Sequence, residues 1–264
     1  NKRLRGWFRI YLLYRAFRSL KTDISVSFLT DMTIYSAWAA RWAGIAHISV
    51  ERNSPWDSPG QEPKRRRRDR AFAISTGRVV QTEAIRAYFE ETIGKTSEVI
   101  VNPVQLMCSP CPAGTEREYR IVSVGRLLAQ KNHRLLLKGF AQFHSQFPHY
   151  RLEIYGQDFG MRQELEALAE MFGIREHVIF CEPVKDLHRR IRNAAAFVMT
   201  SEYEGYPNSL AEAVALGIPS IAVDCRSKGP AAILRDGQRG ILLPPNEPEA
   251  LKDALVLLAQ RQDI

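Results

Sequence analysis

Four side chains and one helix start carry the chemistry that this sequence can be read for. Glu204 and Glu212, with seven residues between them, lie in Ser201-Glu202-Tyr203-Glu204-Gly205-Tyr206-Pro207-Asn208-Ser209-Leu210-Ala211-Glu212-Ala213. Arg126 and Lys131 stand five positions apart, after the apolar run Arg120 to Val124. In the first stretch Gly205 supplies a tight turn after the strand-like run Ala195 to Thr200, and Pro207 suits a first helical position. Leu210, Ala213, Val214 and Gly217 then recur at helical spacing until Pro219. A helix start leaves unpaired N–H groups and a partial positive charge, which together attract phosphate. Carboxylates beside a phosphate repel it, so Glu204 and Glu212 need a neutral polyol to accept from. The combination asks for a sugar nucleotide, with phosphates on the helix end and hydroxyls on the acids. The plainer alternative is a solvated helix with ordinary acids in its early turns, which the dipole also favours. Arg126 can fork onto two oxygens while Lys131 acts as a mobile point charge, so one loop serves a diphosphate. Their alternative is surface charge opening a helix, where cations are disfavoured.

These residues also carry a resemblance. Glu204 to Glu212 resembles the E-x7-E motif of retaining glycosyltransferases of the two-domain GT-B type, family four of the sequence classification. Val122-Ser123-Val124-Gly125-Arg126-Leu127, followed by Lys131-Asn132, is similar to that family's phosphate-binding segment. Gly229-Pro230, Ile233-Leu234, Asp236-Gly237, Gly240 and Leu243-Pro244 resemble its closing stretch, and Ile100 to Val104 its interdomain crossing. The resemblance implies that Arg126 and Lys131 bind the donor diphosphate, that Glu204 holds donor-sugar hydroxyls and Glu212 the ribose, and that configuration is retained. Gly125, Gly156, Glu182 and the run Gly205, Tyr206, Pro207, Asn208, Ser209 and Leu210 complete the expected donor site. Gly156-Gln157-Asp158-Phe159-Gly160 departs from the family's commoner Gly-x-Gly-Pro, and Glu182-Pro183 falls near the expected nucleobase position. No metal or other cofactor is expected, because cationic side chains and helix N–H groups suffice for a leaving diphosphate.

The elements that must position these groups alternate along the chain. From residue 104 on, Arg120 to Val124, Arg151 to Tyr155, His177 to Phe180, Ala195 to Thr200, Ser220 to Val223 and Gly240 to Leu243 are six strand candidates. Helical stretches separate them, at Asn132 to Phe147, Arg162 to Phe172 and Leu187 to Ala194, which predicts a doubly wound, Rossmann-like domain over 104–264. With no G-x-G-x-x-G, a nicotinamide dehydrogenase is poorly supported. Residues 1–103 alternate in the same way but offer about four strands, at Ile24 to Leu29, Ala46 to Val50, Arg78 to Gln81 and Glu98 to Val101. The expected fold class is therefore α/β, GT-B type, with an incomplete N-terminal acceptor-side domain and an exposed sheet edge. Glu51, Arg52 and Asn53 follow the second strand of that half, where open α/β sheets bind ligands. They are acceptor-side candidates, or else a capped strand end with a local Glu-Arg pair. His47 reads as a packed core histidine.

Charge divides the two halves. Up to Pro103 there are 18 Lys and Arg against 10 Asp and Glu, a net 18 − 10 = +8; the remainder carries 19 against 19. Asymmetry of this kind suits an anionic surface facing one half. The segment Lys2 to Lys21 mixes Trp7, Phe8, Tyr11 and Phe17 with five arginines, fitting either a membrane-interface helix or a helix packed on a sheet. The run Lys64-Arg65-Arg66-Arg67-Arg68, between a loop with Pro55, Pro59 and Pro63 and an expected helix near Arg66 to Ser75, reads as a solvated loop that attracts anionic headgroups.

At 264 residues and 45% hydrophobic content the chain builds a sizeable core, and it has no apolar run of membrane-spanning length. It shows no signal peptide, and its start at Asn1 suggests a fragment. Four cysteines are few, so a reducing cytoplasm is expected, with peripheral attachment at the inner membrane face. The Cys108/Cys111 pair sits between prolines in a connector and lacks a second pair for zinc. The expected partners are a nucleotide-sugar donor, a lipid-linked sugar or glycan acceptor and an anionic membrane surface, without nucleic acid. A sugar-nucleotide epimerase or phosphorylase would place phosphate in the same way. A non-catalytic basic module for membrane or nucleic acid would leave Arg126, Lys131 and the two glutamates unexplained.

Overall fold

The computed structural model describes residues 2–56, 62–112 and 114–262, and side chains from residue 5 to residue 261 within those ranges. The chain divides into two compact units, Asn1–Asn102 with Arg226–Lys228, and Pro103–Cys225 with Gly229–Ile264. A boundary near residue 103 alone takes no account of Arg226–Lys228. There Thr82 Oγ1 donates to the Ser227 carbonyl at 2.6 Å, and the Arg226 guanidinium lies over Trp56 at 5.0 Å.

The first unit runs α1 (Lys2–Ser19), β1 (Ile24–Phe28), α2 (Thr30–Ala43), β2 (Ala46–Val50), α3 (Glu62–Ile74), β3 (Gly77–Val80), α4 (Glu83–Ile93) and β4 (Glu98–Val99). Its four strands are parallel in the order β1-β2-β3-β4. Strand β1 is an edge, and Ile24, Val26 and Phe28 on one of its faces are exposed while Ser25 and Ser27 are buried. Helix α1 packs on helix α2 rather than on a sheet: Trp7 stacks on Trp42 at 5.7 Å, and the Arg9 guanidinium sits over Tyr35.

The basic run 64–68 lies wholly within α3, so the helix expected near Arg66 to Ser75 begins earlier and Lys64 and Arg65 are helical rather than in a solvated loop. Glu62 opens α3 and accepts from Arg65 and Arg66, one turn on, so like charges along the run are offset locally. Pro63 falls in the first helical turn, where its missing N–H costs nothing; Pro59 lies outside the described residues. Arg68 is buried. It meets Glu51 at 3.4 Å, Asp69 at 2.8 Å and the Tyr88 hydroxyl at 3.0 Å.

His47 is buried between two hydroxyls, with Ser25 Oγ 2.7 Å from Nδ1 and Ser27 Oγ 3.1 Å from Nε2. Burial lowers its pKa from 6.5 to about 4. Between those two values the unfolded chain binds a proton that the folded chain refuses, so stability is fully present above about pH 6.5 and is lost as pH falls toward 4. This one group is expected to remove on the order of 2 kcal/mol between about pH 7 and pH 5. Urea unfolding of the wild type and of His47→Gln at the two pH values checks it, the variant showing the flatter dependence.

The second unit runs β5 (Glu118–Val124), α5 (His133–His144), β6 (Arg151–Tyr155), α6 (Arg162–Met171), β7 (Val178–Cys181), α7 (Leu187–Ile191), β8 (Ala194–Met199), α8 (Asn208–Ala215), β9 (Ser220–Val223), α9 (Gly229–Leu234), β10 (Ile241–Leu243) and α10 (Pro248–Gln262). The six strands are parallel in the order β10-β9-β8-β5-β6-β7. Alternate residues feed opposite faces, as the pleat requires. Ile121, Val198 and Ile221 pack with α5, α6 and α10, whereas Val122, Phe197 and Ala222 pack with α7, α8 and α9. The sheet is thus covered on both sides. Its order reverses at β5, which pairs with β6 on one side and β8 on the other, so a crevice opens at their carboxyl ends.

Candidate functional site

The loops that leave β5 and β8 meet at that crevice and are stitched together. Thr200 Oγ1 donates to the carbonyls of Lys131 and Asn132, both at 3.0 Å, and Gln130 Nε2 donates to the Tyr203 carbonyl at 2.7 Å. The Glu202 N–H returns to the Gln130 carbonyl at 2.9 Å. Asn132, in the left-handed region at φ 46°, caps α5 by accepting the Leu135 N–H. These bonds set Lys131 Nζ 2.5 Å from Glu204 Oε1, with both side chains mostly buried. Two of the predicted residues, 73 positions apart, therefore form one ion pair at the end of two neighbouring strands.

Gly125 begins the loop, and its face lies against the Lys131 stem; a Cβ there would come within 3.1 Å of Lys131 Cε. Arg126 is exposed, its guanidinium 5.5 Å over the ring of Phe159 from the loop that follows β6. That neighbouring loop begins at Gly156, where a Cβ would stand 2.0 Å from the Gly125 carbonyl oxygen. No larger residue fits without parting the two strand ends. Asp158 Oδ1 accepts the N–H groups of Gly160, Met161 and Arg162, so this loop ends as the cap of α6.

Helix α8 begins one residue later than expected. Pro207 is its extended N-cap at φ −74° and ψ 108°, and its ring makes no capping hydrogen bond. The first-turn N–H groups of Asn208, Ser209 and Leu210 precede the first bond of the ladder, from Ala211 N to the Pro207 carbonyl. Leu210 itself is fully buried in the core and offers backbone alone, while Tyr206 packs partly buried against the same cluster. Gly205 is held from behind by Gly229, whose Cβ position lies 1.9 Å from the Gly205 carbonyl oxygen.

Glu212, about one turn into α8, faces a residue that sequence reasoning missed. His188 Nε2 lies 3.3 Å from Glu212 Oε2, and the Met107 N–H donates to His188 Nδ1 at 3.0 Å. An acceptor Nδ1 leaves the ring proton on Nε2, so His188 donates to the glutamate. His133, the first residue of α5, donates from Nε2 to the Arg126 carbonyl at 3.4 Å; burial, assisted by the nearby Lys131 charge, lowers its pKa to about 4. It is neutral there. Glu182 is exposed beyond β7 and pairs with Arg162 at 3.0 Å.

Of the candidates in the first unit, Glu51 is committed internally. Its carboxylate meets Arg68 and accepts the N–H groups of Arg52 and Asn53, which matches the capped strand end; its partner is Arg68 rather than the adjacent Arg52. Burial raises its pKa against the opposing pull of Arg68. Arg52 and Asn53 are exposed. Cys108 and Cys111 are both free thiols, and among the described residues no group of three His, Cys, Asp or Glu is placed to hold a metal ion. Among the described residues no helix is long and apolar enough to cross a membrane.

Two parallel α/β sheets, one of them doubly wound, define a GT-B type fold. HepE of Anabaena, solved in complex with UDP-glucose, superposes with a TM-score of 0.83 at 17% identity over 96% of this chain and 73% of that one. The model of the family "Glycosyl transferases group 1" matches residues 113–263, and the chain belongs to that family. The lipopolysaccharide 1,6-galactosyltransferase of Escherichia coli K12 is 32% identical over 188 residues, covering 68% of this chain and 49% of that protein. An exopolysaccharide phosphotransferase of Streptomyces coelicolor is 29% identical over 250 residues, covering 92% of this chain and 25% of that protein. The chain spans a quarter to about half the length of these two curated relatives.

Proposed function

We propose that this chain is the donor-binding part, with a portion of the acceptor side, of a retaining glycosyltransferase. It takes a sugar from a nucleoside-diphosphate donor and passes it to a lipid-linked or polysaccharide acceptor in glycan assembly, working at the inner face of a membrane. The observation that carries the reading is the Lys131–Glu204 pair, formed where the loop before α8 meets the loop that also holds Arg126.

In this reading the donor diphosphate lies over the first turn of α8. Its charge grows as the bond from sugar C1 to the phosphate oxygen breaks, and Arg126, Lys131 and the N–H groups of Asn208 to Leu210 stabilise it. Glu204 gives part of its hold on Lys131 to a sugar hydroxyl. The acceptor oxygen bonds to C1 on the face the diphosphate leaves, and its proton passes to the departing phosphate oxygen. Glu212, steadied by His188, accepts from the ribose, while Glu182 and Gly156 border the nucleoside. Arg52 and Asn53 serve the acceptor.

Replacing Glu212 by Gln or His188 by Ala is expected to weaken nucleoside diphosphate binding about tenfold, since a hydrogen bond to a charged group is worth roughly 1.5–3 kcal/mol. Titration calorimetry reads this, and unchanged affinity in both variants removes the ribose assignment. The activity itself is tested by a donor screen on the full-length enzyme with a polyprenyl-diphosphate sugar as acceptor, read by mass spectrometry. One added sugar residue with the donor's anomeric configuration supports the proposal. Donor conversion without acceptor would indicate an epimerase, and a sugar-phosphate adduct a phosphotransferase.

A further inference from the structure

Between α1, α2 and α3 in the first unit lies an open cavity of about 570 Å³. Trp7, Ile10, Ile34 and Trp38 make its apolar walls, Arg67 and Arg70 its charged ones, and among the described residues no carboxylate lines it. The two arginines differ from their neighbours on α3. Lys64 pairs with Asp31, Arg65 and Arg66 with Glu62, and Arg68 with Glu51 and Asp69. Arg67 and Arg70 are exposed and have no carboxylate partner among the described residues. Beside the cavity, the outer side of α1 exposes Trp7, Phe8, Tyr11 and Leu12, at 58, 60, 47 and 49%. Arg5, Arg15 and Arg18 are interspersed with them, and the helix contains no acidic residue.

We propose that this cavity and the adjoining face of α1 form a docking site for an anionic phospholipid bilayer. Arg67 and Arg70 hold a lipid phosphate, and the indoles of Trp7 and Trp38 lie against the first carbons of its chains. Unpaired guanidiniums without a lining acid select an anion, while exposed aromatic and aliphatic side chains next to them suit the boundary between headgroup and hydrocarbon. A soluble phosphate compound has no use for that apolar face. The site deepens the reading of a membrane-side enzyme given above, and supplies the means by which the first unit meets the surface carrying a lipid-linked acceptor.

The test is flotation of the full chain with phosphatidylcholine vesicles, with and without phosphatidylglycerol. The expected result is co-flotation with the phosphatidylglycerol vesicles alone. The double variant Arg67→Ala/Arg70→Ala, which alters exposed side chains, is expected to lose about thirty-fold in partition, and Trp7→Ala to lose most of the remainder. Equal flotation of wild type and double variant overturns the proposal. So does binding of glycerol 3-phosphate or of an oligonucleotide, sensitive to the same variants, without vesicle binding. Nucleoside diphosphate affinity measured on the same double variant is expected to be unchanged, so loss of membrane docking and failure of the transferase reading are told apart.

Discussion

Replacing Lys131 by methionine in the full-length enzyme is expected to lower turnover by two to three orders of magnitude and also to lower the thermal midpoint, because it leaves Glu204 uncompensated. The size follows from the loss of one pre-placed donor at a leaving group, for which roughly 10²–10³ in rate is typical. Methionine keeps most of the stem that lies against Gly125, so the packing survives. The variant also leaves Glu204, which is mostly buried, without its cation. Glu204→Gln combined with Lys131→Met removes that uncompensated charge, and is expected to recover stability but not rate. Steady-state kinetics together with thermal unfolding separates the two contributions. A double variant that recovered activity would mean that Lys131 serves only to neutralise Glu204.

The second large effect is expected at a glycine that touches no substrate. In Gly229→Ala the new methyl would meet the Gly205 carbonyl oxygen at 1.9 Å and Pro207 Cδ at 3.2 Å. Backbone is the obstacle at the first contact, so the chain must move. Overpacking of this kind costs typically 1–3 kcal/mol, and a backbone clash belongs at or above the top of that range. The displaced atoms are the turn before α8, so donor affinity is expected to fall along with stability. Gly160→Ala is the control: its φ of 91° strains an alanine, but nothing lies within 4 Å of the added carbon. A variant at Gly229 as mild as that control would mean that the α8 entrance is not braced by α9.

Much of this architecture was legible in the residues. The apolar run after Pro219 marks β9 to the residue, because buried parallel strands read as continuous hydrophobic stretches, and the alternating Arg151-Leu152-Glu153-Ile154-Tyr155 before Gly156 marks β6. Arg126, Lys131, Glu204 and Glu212 stood out because cations and acids around helix starts ask for a ligand. What spacing did not reveal is who pairs with whom. Lys131 meets Glu204 because β5 and β8, three strands apart in the chain, are neighbours in the sheet, and strand order is a property of the whole fold. His188 escaped notice on a five-residue helix 24 positions from Glu212, where no periodicity points at it. Arg68 looked like one more solvated cation in its run. Helix geometry alone turns it inward, toward Glu51, Asp69 and Tyr88, while Arg67 beside it faces out.

The claim on which the rest depends is that a diphosphate lies between the α8 entrance and the Arg126–Lys131 loop. Titration calorimetry of the full-length enzyme with uridine, guanosine, adenosine and thymidine diphosphates, each against its monophosphate, tests it most directly. One diphosphate is expected to bind at least about tenfold tighter than its monophosphate, with the difference abolished in the Arg126→Ala/Lys131→Met double variant. Equal affinity for mono- and diphosphate throughout, or a preference that survives the double variant, would contradict it.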